Sequence, residues 1–257
     1  MGEYSTVTEL PDHKASKEQI ERLFHRYHFA LSFCKGKDVL EVACGAGIGL
    51  GYLGKVAKKV VGGDIDENIL IFAKKQYNGR NKIELRKLDA QKLPFPDKSF
   101  DVVILYEAIY YLAQPEKFIE EAFRVLKKDG VFIICSVNKD WPDFNLSPFS
   151  TKYFSASELY CLLNVKFSDV KLYGAFPIQA DSLKGKIISL IKRGAVKLHL
   201  IPKTMKRKEF FKRLFFGSLV SIPSEIEEGL AEYIPPVPIS FDSSNSQFKV
   251  LYAVARI

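Results

Sequence analysis

At 257 residues, with 47% hydrophobic side chains, the chain is long and apolar enough to bury one large core, which excludes a disordered segment or a disulfide-stapled miniprotein. The net charge of +8 is unevenly placed: Lys184 to Arg213 carries eleven Lys or Arg against the single acid Glu209, so the rest of the chain sums to −2. The four cysteines form no C-x-x-C pair, the polar N-terminus does not read as a signal peptide, and no run of about 18 apolar residues could span a bilayer, so a cytoplasmic protein, at most peripheral at a membrane, is expected.

Residues 1–15 read as a flexible N-terminus. Ser16 to Cys34 then predicts a helix, with Ser16 as its cap and Ile20, Leu23, Phe24, Tyr27 and Leu31 on its apolar side. Asp38 to Ala43 is a short buried strand, Cys44 to Gly49 a glycine-rich turn, and Leu50 to Lys58 a helix. Val60 to Gly63 is the next strand, and Asp66 caps a helix that runs to Tyr77. Lys82 to Leu88, Ser99 to Leu105 and Val131 to Val137 are further strands, with a helix from Glu116 to Lys127 before the last of them. Ser155 to Leu163 is helical, and Phe167 to Tyr173 and Phe248 to Arg256 complete the strands. This alternation predicts an α/β fold with a Rossmann-like, doubly wound and mostly parallel sheet of seven strands, the C-terminal one antiparallel. The core then covers 16–174 and closes with 246–257. The interval 175–245 is too long for a simple loop and is expected to form a basic helical insertion.

The turn Val39-Leu40-Glu41-Val42-Ala43-Cys44-Gly45-Ala46-Gly47-Ile48-Gly49 sets glycines where a buried strand gives way to a helix, so that backbone N–H groups can approach a ligand. A dinucleotide fingerprint fits poorly. Starting from Gly45 or Gly47, the third glycine of G-x-G-x-x-G falls on Leu50 or Tyr52, and only the frame Gly49, Gly51, Gly54 satisfies it, past the strand end. Two acids end the following strands: Asp64, nineteen residues beyond Gly45, suits ribose hydroxyls, and Asp89 suits an exocyclic amine. Each alone could equally cap a helix, but in a doubly wound sheet all three strand ends converge on one nucleoside.

Residues 38–138 resemble the class I S-adenosylmethionine-dependent methyltransferases, particularly the broad group acting on small molecules, quinones and sugars. The family's acidic-x-Gly-x-Gly-x-Gly turn matches Glu41, Gly45 and Gly47, with Ala43 replacing the first glycine. The run Asp89-Ala90-Gln91-Lys92-Leu93-Pro94-Phe95-Pro96-Asp97-Lys98-Ser99-Phe100-Asp101 matches its adenine-side segment, and Phe123 to Gly130 the passage into its fifth strand, with Lys-Asp-Gly where Pro-Gly-Gly is usual. The resemblance implies S-adenosyl-L-methionine as cofactor. It places Glu41, Ala43, Gly45, Gly47, Asp64, Ile65, Asp89, Ala90 and Tyr106 around that cofactor.

The fourth core strand delivers Tyr106-Glu107-Ala108-Ile109-Tyr110-Tyr111 to the same edge. Glu107 is a candidate general base or acceptor-orienting group, with Tyr110 beside it, although an acid there could equally cap the next helix. His25 and His28, three apart on the first helix, are the other candidate bases. Lys139 to Asn145 offers an acceptor wall. No Asn-Pro-Pro-Tyr or Pro-Cys motif follows the fourth strand, which disfavours base methylation, and no cluster has metal-ligand spacing. The cations of 184–213 alternate with Ile187, Leu190, Ile191, Leu198, Ile201, Phe210, Phe211, Leu214 and Phe215, a pattern that suits either a helix packed on its own sheet or one lying on an anionic membrane. Three functions follow: O-methylation of a sugar or other small metabolite, anionic, lipid-linked or nucleotide-linked; RNA methylation, with the basic segment on phosphates; or a non-catalytic ligand- or membrane-binding module.

Overall fold

The computed structural model describes residues 8–147, 149–178 and 218–257. The basic segment 184–213, and the helical cover expected of it, lie outside these residues. In chain order the elements are β1 (Lys14–Ala15), α1 (Lys17–Cys34), β2 (Asp38–Val42), α2 (Leu50–Gly54), β3 (Lys59–Asp64), α3 (Glu67–Gln76), β4 (Ile83–Lys87) and β5 (Phe100–Tyr106). A 3-10 turn (Ile109–Tyr111), α4 (Pro115–Val125), β6 (Leu126–Val137), α5 (Ala156–Asn164), β7 (Asp169–Pro177), β8 (Val220–Ser221), β9 (Val237–Ile239) and β10 (Phe248–Arg256) follow.

The main sheet runs β4-β3-β2-β5-β6-β10-β7-β9. Strands β2 to β6 are mutually parallel, whereas β10 is antiparallel to both β6 and β7. The strand order reverses between β2 and β5, and the carboxyl ends flanking that reversal are where an open α/β sheet leaves a crevice. Period-2 alternation splits the core in two. Val39, Val60, Val102, Ile104 and Ile133 meet α1, α2 and α3 on one face, while Leu40, Val42, Val61, Val103 and Leu105 meet α4 and α5 on the other. Helix starts follow their local chemistry. Ser16 accepts from the Gln19 N–H at 3.3 Å while the Gln19 side chain accepts from the Ser16 N–H at 3.1 Å, and Asp66 accepts from the Asn68 N–H at 3.0 Å.

Several expectations are corrected. The sheet has eight strands rather than seven, because Val237–Ile239 adds an edge strand on β7 through a Pro-containing stretch. Helix α2 stops at Gly54, short of Lys58, and β6 starts at Leu126, with Asp129 at φ 65° turning the chain inside it. The N-terminus is packed well before residue 15: Leu10 and Ala15 are buried, and Lys14–Ala15 pairs with Val220–Ser221. Within 218–247 the described residues form short strands and turns and no helix, since this stretch is pinned across α1 and α2 by Ile222 and Ile226 in the core.

Strand β3 owes its close approach to neighbours to two glycines. A Cβ on Gly62 would lie 2.5 Å from Leu50 Cδ1, and one on Gly63 only 2.1 Å from Leu88 Cδ2. Both positions are buried, so neither neighbour has room to retreat. Gly63→Ala is therefore expected to destabilise the fold by about 1–3 kcal/mol, the usual range for overpacking. Thermal unfolding checks this, and an unchanged Tm would show that the Leu88 contact relaxes freely.

Candidate active site

A cavity of about 450 Å³ opens at the carboxyl ends of β2, β3, β4 and β5 under the inner face of α1, within the size range of small-ligand sites. Its floor is the turn after β2, where Ala43 at φ 56° and Gly45 at φ 57° both take left-handed backbone. For alanine that conformation is strained, and the surrounding contacts must hold it.

Glu41 lies at the bottom, 1% exposed. The Tyr27 hydroxyl donates to its Oε1 at 2.5 Å, while Oε2 is buried with no hydrogen-bond partner. Burial pushes its pKa up to about 7, against the lowering effect of the Tyr27 bond and of Arg26. Asp64, at the end of β3, is held from two sides: the Gly45 N–H donates to Oδ2 at 2.9 Å and the Asp66 N–H to Oδ1 at 3.0 Å. Burial raises its pKa and these backbone donors oppose the rise. The carboxylate keeps acceptor capacity for a ligand hydroxyl. Asp89 is exposed at the rim and is oriented by the Gln91 N–H, 2.8 Å from Oδ1. Beside them Ile65 leaves a large apolar side chain 44% exposed, and Ala90 completes this wall.

Opposite, at the end of β5, Glu107 takes φ 50° and turns its carboxylate inward. The Tyr110 hydroxyl donates to its Oε2 at 2.9 Å, and the Cys135 thiol faces Oε1 at 3.8 Å. Burial raises the Glu107 pKa, while the positive charge of Arg26 pulls it back. The Tyr106 ring packs edge-on against Tyr27 at 5.3 Å, and its buried hydroxyl has no partner.

The structure thus brings Glu41, Ala43, Gly45, Asp64, Ile65, Asp89, Ala90, Tyr106, Glu107 and Tyr110 to one cavity. Three candidates stand elsewhere. Gly47 turns away from the cavity. Tyr77 donates to its carbonyl at 2.7 Å, and a Cβ there would sit 2.7 Å from the Ala73 Cβ, so its glycine serves packing against α3. His25 and His28 do not reach the cavity because the α1 face that does carries Arg22, Leu23, Arg26 and Tyr27, and neighbouring helix positions diverge by about 100°. His25 instead meets the Glu232 carbonyl at 2.9 Å between the rings of Phe176 and Tyr233, where burial lowers its pKa. His28 Nδ1 lies 2.9 Å from the Tyr52 hydroxyl, which donates to Glu228 at 2.5 Å. Within the expected acceptor wall, Trp141 stacks under the Arg22 guanidinium at 5.5 Å rather than lining the cavity.

Sequence reasoning passed over Arg22 and Arg26. Their i, i+4 spacing on the same face as Leu23 and Tyr27 was the available signal, since an arginine amid apolar positions must find a partner indoors.

Residues 40–134 match the sequence profile of a methyltransferase domain. A probable S-adenosylmethionine-dependent methyltransferase of Mycolicibacterium smegmatis is 35% identical over 174 residues, 64% of this chain and 64% of that one. A fatty-acid O-methyltransferase of the same organism is 37% identical over 101 residues, 38% of this chain and 36% of the other. The chain thus spans less than two thirds of the length of each of these relatives. Among solved structures, a SAM-dependent methyltransferase from Archaeoglobus fulgidus shares the fold at TM-score 0.57 and 18% identity, over 95% of both chains. Residues 40–134 therefore carry a methyltransferase-type domain on a Rossmann-like sheet, similar to S-adenosylmethionine-dependent methyltransferases.

The raised pKa of Glu41 has a stability consequence. Between its ordinary value of 4.5 and about 7 the folded chain keeps a proton that the unfolded chain has released, so stability falls as pH rises through that window. The loss amounts to at most about 3 kcal/mol, from the free energy of a pKa unit. Glu41→Gln should flatten this part of the Tm-versus-pH profile of the ligand-free protein. Parallel profiles for the two proteins would show that Glu41 does not titrate there.

Proposed function

We propose that the chain is an S-adenosylmethionine-dependent methyltransferase that acts on a hydroxyl of a small metabolite, such as a sugar or a lipid-linked or nucleotide-linked acceptor. The observation that carries this reading is the placement of Glu41, Asp64 and Asp89 at three successive parallel-strand ends around one cavity that Glu107 enters from the next strand. The donor set fits the cofactor. The unpartnered Oε2 of Glu41 is an acceptor for an ammonium, Asp64 for ribose hydroxyls and Asp89 for an exocyclic amine, while Ile65 gives an apolar face to a purine. Ala43 and Gly45 keep the floor thin enough for backbone to approach.

When bound, the cofactor supplies an activated methyl group on its sulfonium. The chain's own contribution is positioning, worth on the order of 7–11 kcal/mol for well-oriented partners, and removal of the acceptor proton. Glu107 takes that proton. Burial makes it a stronger base than a surface glutamate, and Arg26 with the Tyr110 hydroxyl favours its ionised form. Tyr111, Leu112 and Val137 line the remaining wall and suit an acceptor with an apolar part, as does the similarity to a fatty-acid O-methyltransferase. The basic segment 184–213 is read as the element that attracts an anionic or membrane-borne acceptor.

Calorimetry with S-adenosylhomocysteine, followed by a labelled-methyl screen against sugars, lipids, quinones and RNA, tests the reading. Asp64→Ala should weaken that binding by roughly 1.5–3 kcal/mol, the range for hydrogen bonds to charged groups. Full affinity in the folded variant would remove Asp64 from the site. Glu107→Gln should keep cofactor affinity and lower turnover by about 10²–10⁴-fold. Near-normal turnover would mean that the acceptor needs no base from β5.

A further inference from the structure

Arg22 lines the cavity from α1, and its surroundings lie on the side away from the glycine turn: Trp141 after β6, Phe176 of β7 and Lys249 of β10, all beyond β5 in the sheet order. The guanidinium is stacked. The ring centroids of Trp141 and Phe176 each lie 5.5 Å from its Cζ, and the Lys249 ammonium lies 5.7 Å from the same indole. Rings over the face of a guanidinium leave its in-plane N–H edge free to take an anion. The stack is built into the fold. Asn138 is fully buried, donates to the carbonyls of Asn245 and Phe248 at 2.9 Å, and accepts from the Trp141 N–H on its own carbonyl at 3.2 Å. Phe176 presents its ring from a left-handed backbone, φ 55°, a conformation that persists for an aromatic residue only where the surrounding contacts impose it.

Glu18 is the one carboxylate that meets this guanidinium among the described residues, and it is shared. Its Oε1 accepts from Arg22 Nη2 at 2.6 Å, while both its oxygens accept from Lys249 Nζ at 3.0 Å. Two cations on one anion leave one positive charge over, and the buried Nε–H of Arg22 has no acceptor. A part-buried surplus of this kind is relieved by an oxyanion arriving on the guanidinium edge. Burial raises the pKa of Glu107 and the charge of Arg22 is among those that pull it back, so the two groups act on the same space, which Tyr110, Tyr111, Leu112 and Val137 also line. We propose that Arg22 binds an oxyanion of the methyl acceptor, a carboxylate or a phosphate monoester on an apolar body, and thereby selects anionic acceptors over neutral ones. This inference deepens the methyltransferase reading above and rests on it.

Trp141 is the single tryptophan of the chain, so its emission reports on this stack directly. Benzoate and phenyl phosphate, with benzyl alcohol as the uncharged control, are titrated into the full chain saturated with S-adenosylhomocysteine, whose own binding is measured first by calorimetry. At least one anion should change the Trp141 emission saturably, and benzyl alcohol should bind about tenfold or more weakly, given the usual strength of hydrogen bonds to charged groups. Which anion binds tells a carboxylate from a phosphate. Arg22→Gln should weaken that anion by about tenfold or more, read by calorimetry because the substitution alters the stack, and should leave S-adenosylhomocysteine affinity within about threefold, less than one charged hydrogen bond supplies. Binding of neither anion, or an unchanged anion affinity in Arg22→Gln, overturns the inference while leaving the cofactor reading in place. So does displacement of S-adenosylhomocysteine by the anion, which would put Arg22 in the cofactor's site. Failure of S-adenosylhomocysteine to bind the wild-type protein overturns both. Should Arg22→Gln fail to fold, Arg22→Lys decides: it keeps the charge and loses the planar fork, so anion affinity should fall by about threefold or more, and full affinity overturns the inference.

Discussion

A carboxylate taken out of water at the end of a central strand is the constraint to which the rest of the site answers. Glu41 is placed by β2, whose backbone is paired on both sides, so it cannot withdraw to solvent. One oxygen is satisfied from above by Tyr27, which requires α1 to cross the carboxyl edge with a tyrosine directed downward. The other oxygen is left to the cavity. Desolvation of such a group is expensive unless a donor arrives, and the pKa rise to about 7 measures how strongly the ligand-free site favours the neutral form. A cationic ligand group relieves that penalty, so the same burial that weakens the empty fold strengthens binding.

The second half of the cavity obeys the same rule with the opposite sign. Arg26 is buried against Glu9, its positive charge acts on Glu41 and lowers the pKa of Glu107, and its own pKa rises well above the ordinary value. Arg22, a turn earlier, is tied to Glu18, which is also bonded by Lys249 of β10. The charges of α1 are thus compensated both within the helix, Arg22 by Glu18, and from distant segments, Arg26 by Glu9 and Glu18 by Lys249. His25 and His28 lie off the cavity-lining face of α1 and contact the Glu232 carbonyl, Tyr233 and the Tyr52 hydroxyl instead.

Much of this was present in the linear pattern. Strands β2 to β6 and helices α1, α3, α4 and α5 could be located from periodicity and caps because the residues that define them are local: Ser16 and Gln19 form a capping box within four residues, and Val39 with Leu40 announce a two-sided strand. Glu41, Asp64 and Asp89 were found as a group because parallel topology sends every strand's carboxyl end to the same edge. No coordinates are needed for that inference. Gly47 falls outside the cavity lining for an equally plain reason. A left-handed glycine in a turn looks the same in sequence whether it faces a ligand or, as here, Ala73 and Tyr77.

What only the tertiary structure decided is which long-range partners close the site. Strands β1, β8 and β9 are two or three residues long and carry no period of their own, so their pairing exists only because distant segments meet. The same holds for Glu9 on Arg26 and Tyr27 on Glu41. The sequence by itself determined the parallel strands β2 to β6, the order of the acids at their ends and the chemistry those acids suit, because short-range geometry repeats along a strand or helix. Which charge faces which across the cavity depends on how α1 and the segment before it lie over the carboxyl edge, and that placement is set by burial and ion pairing between residues far apart in the chain.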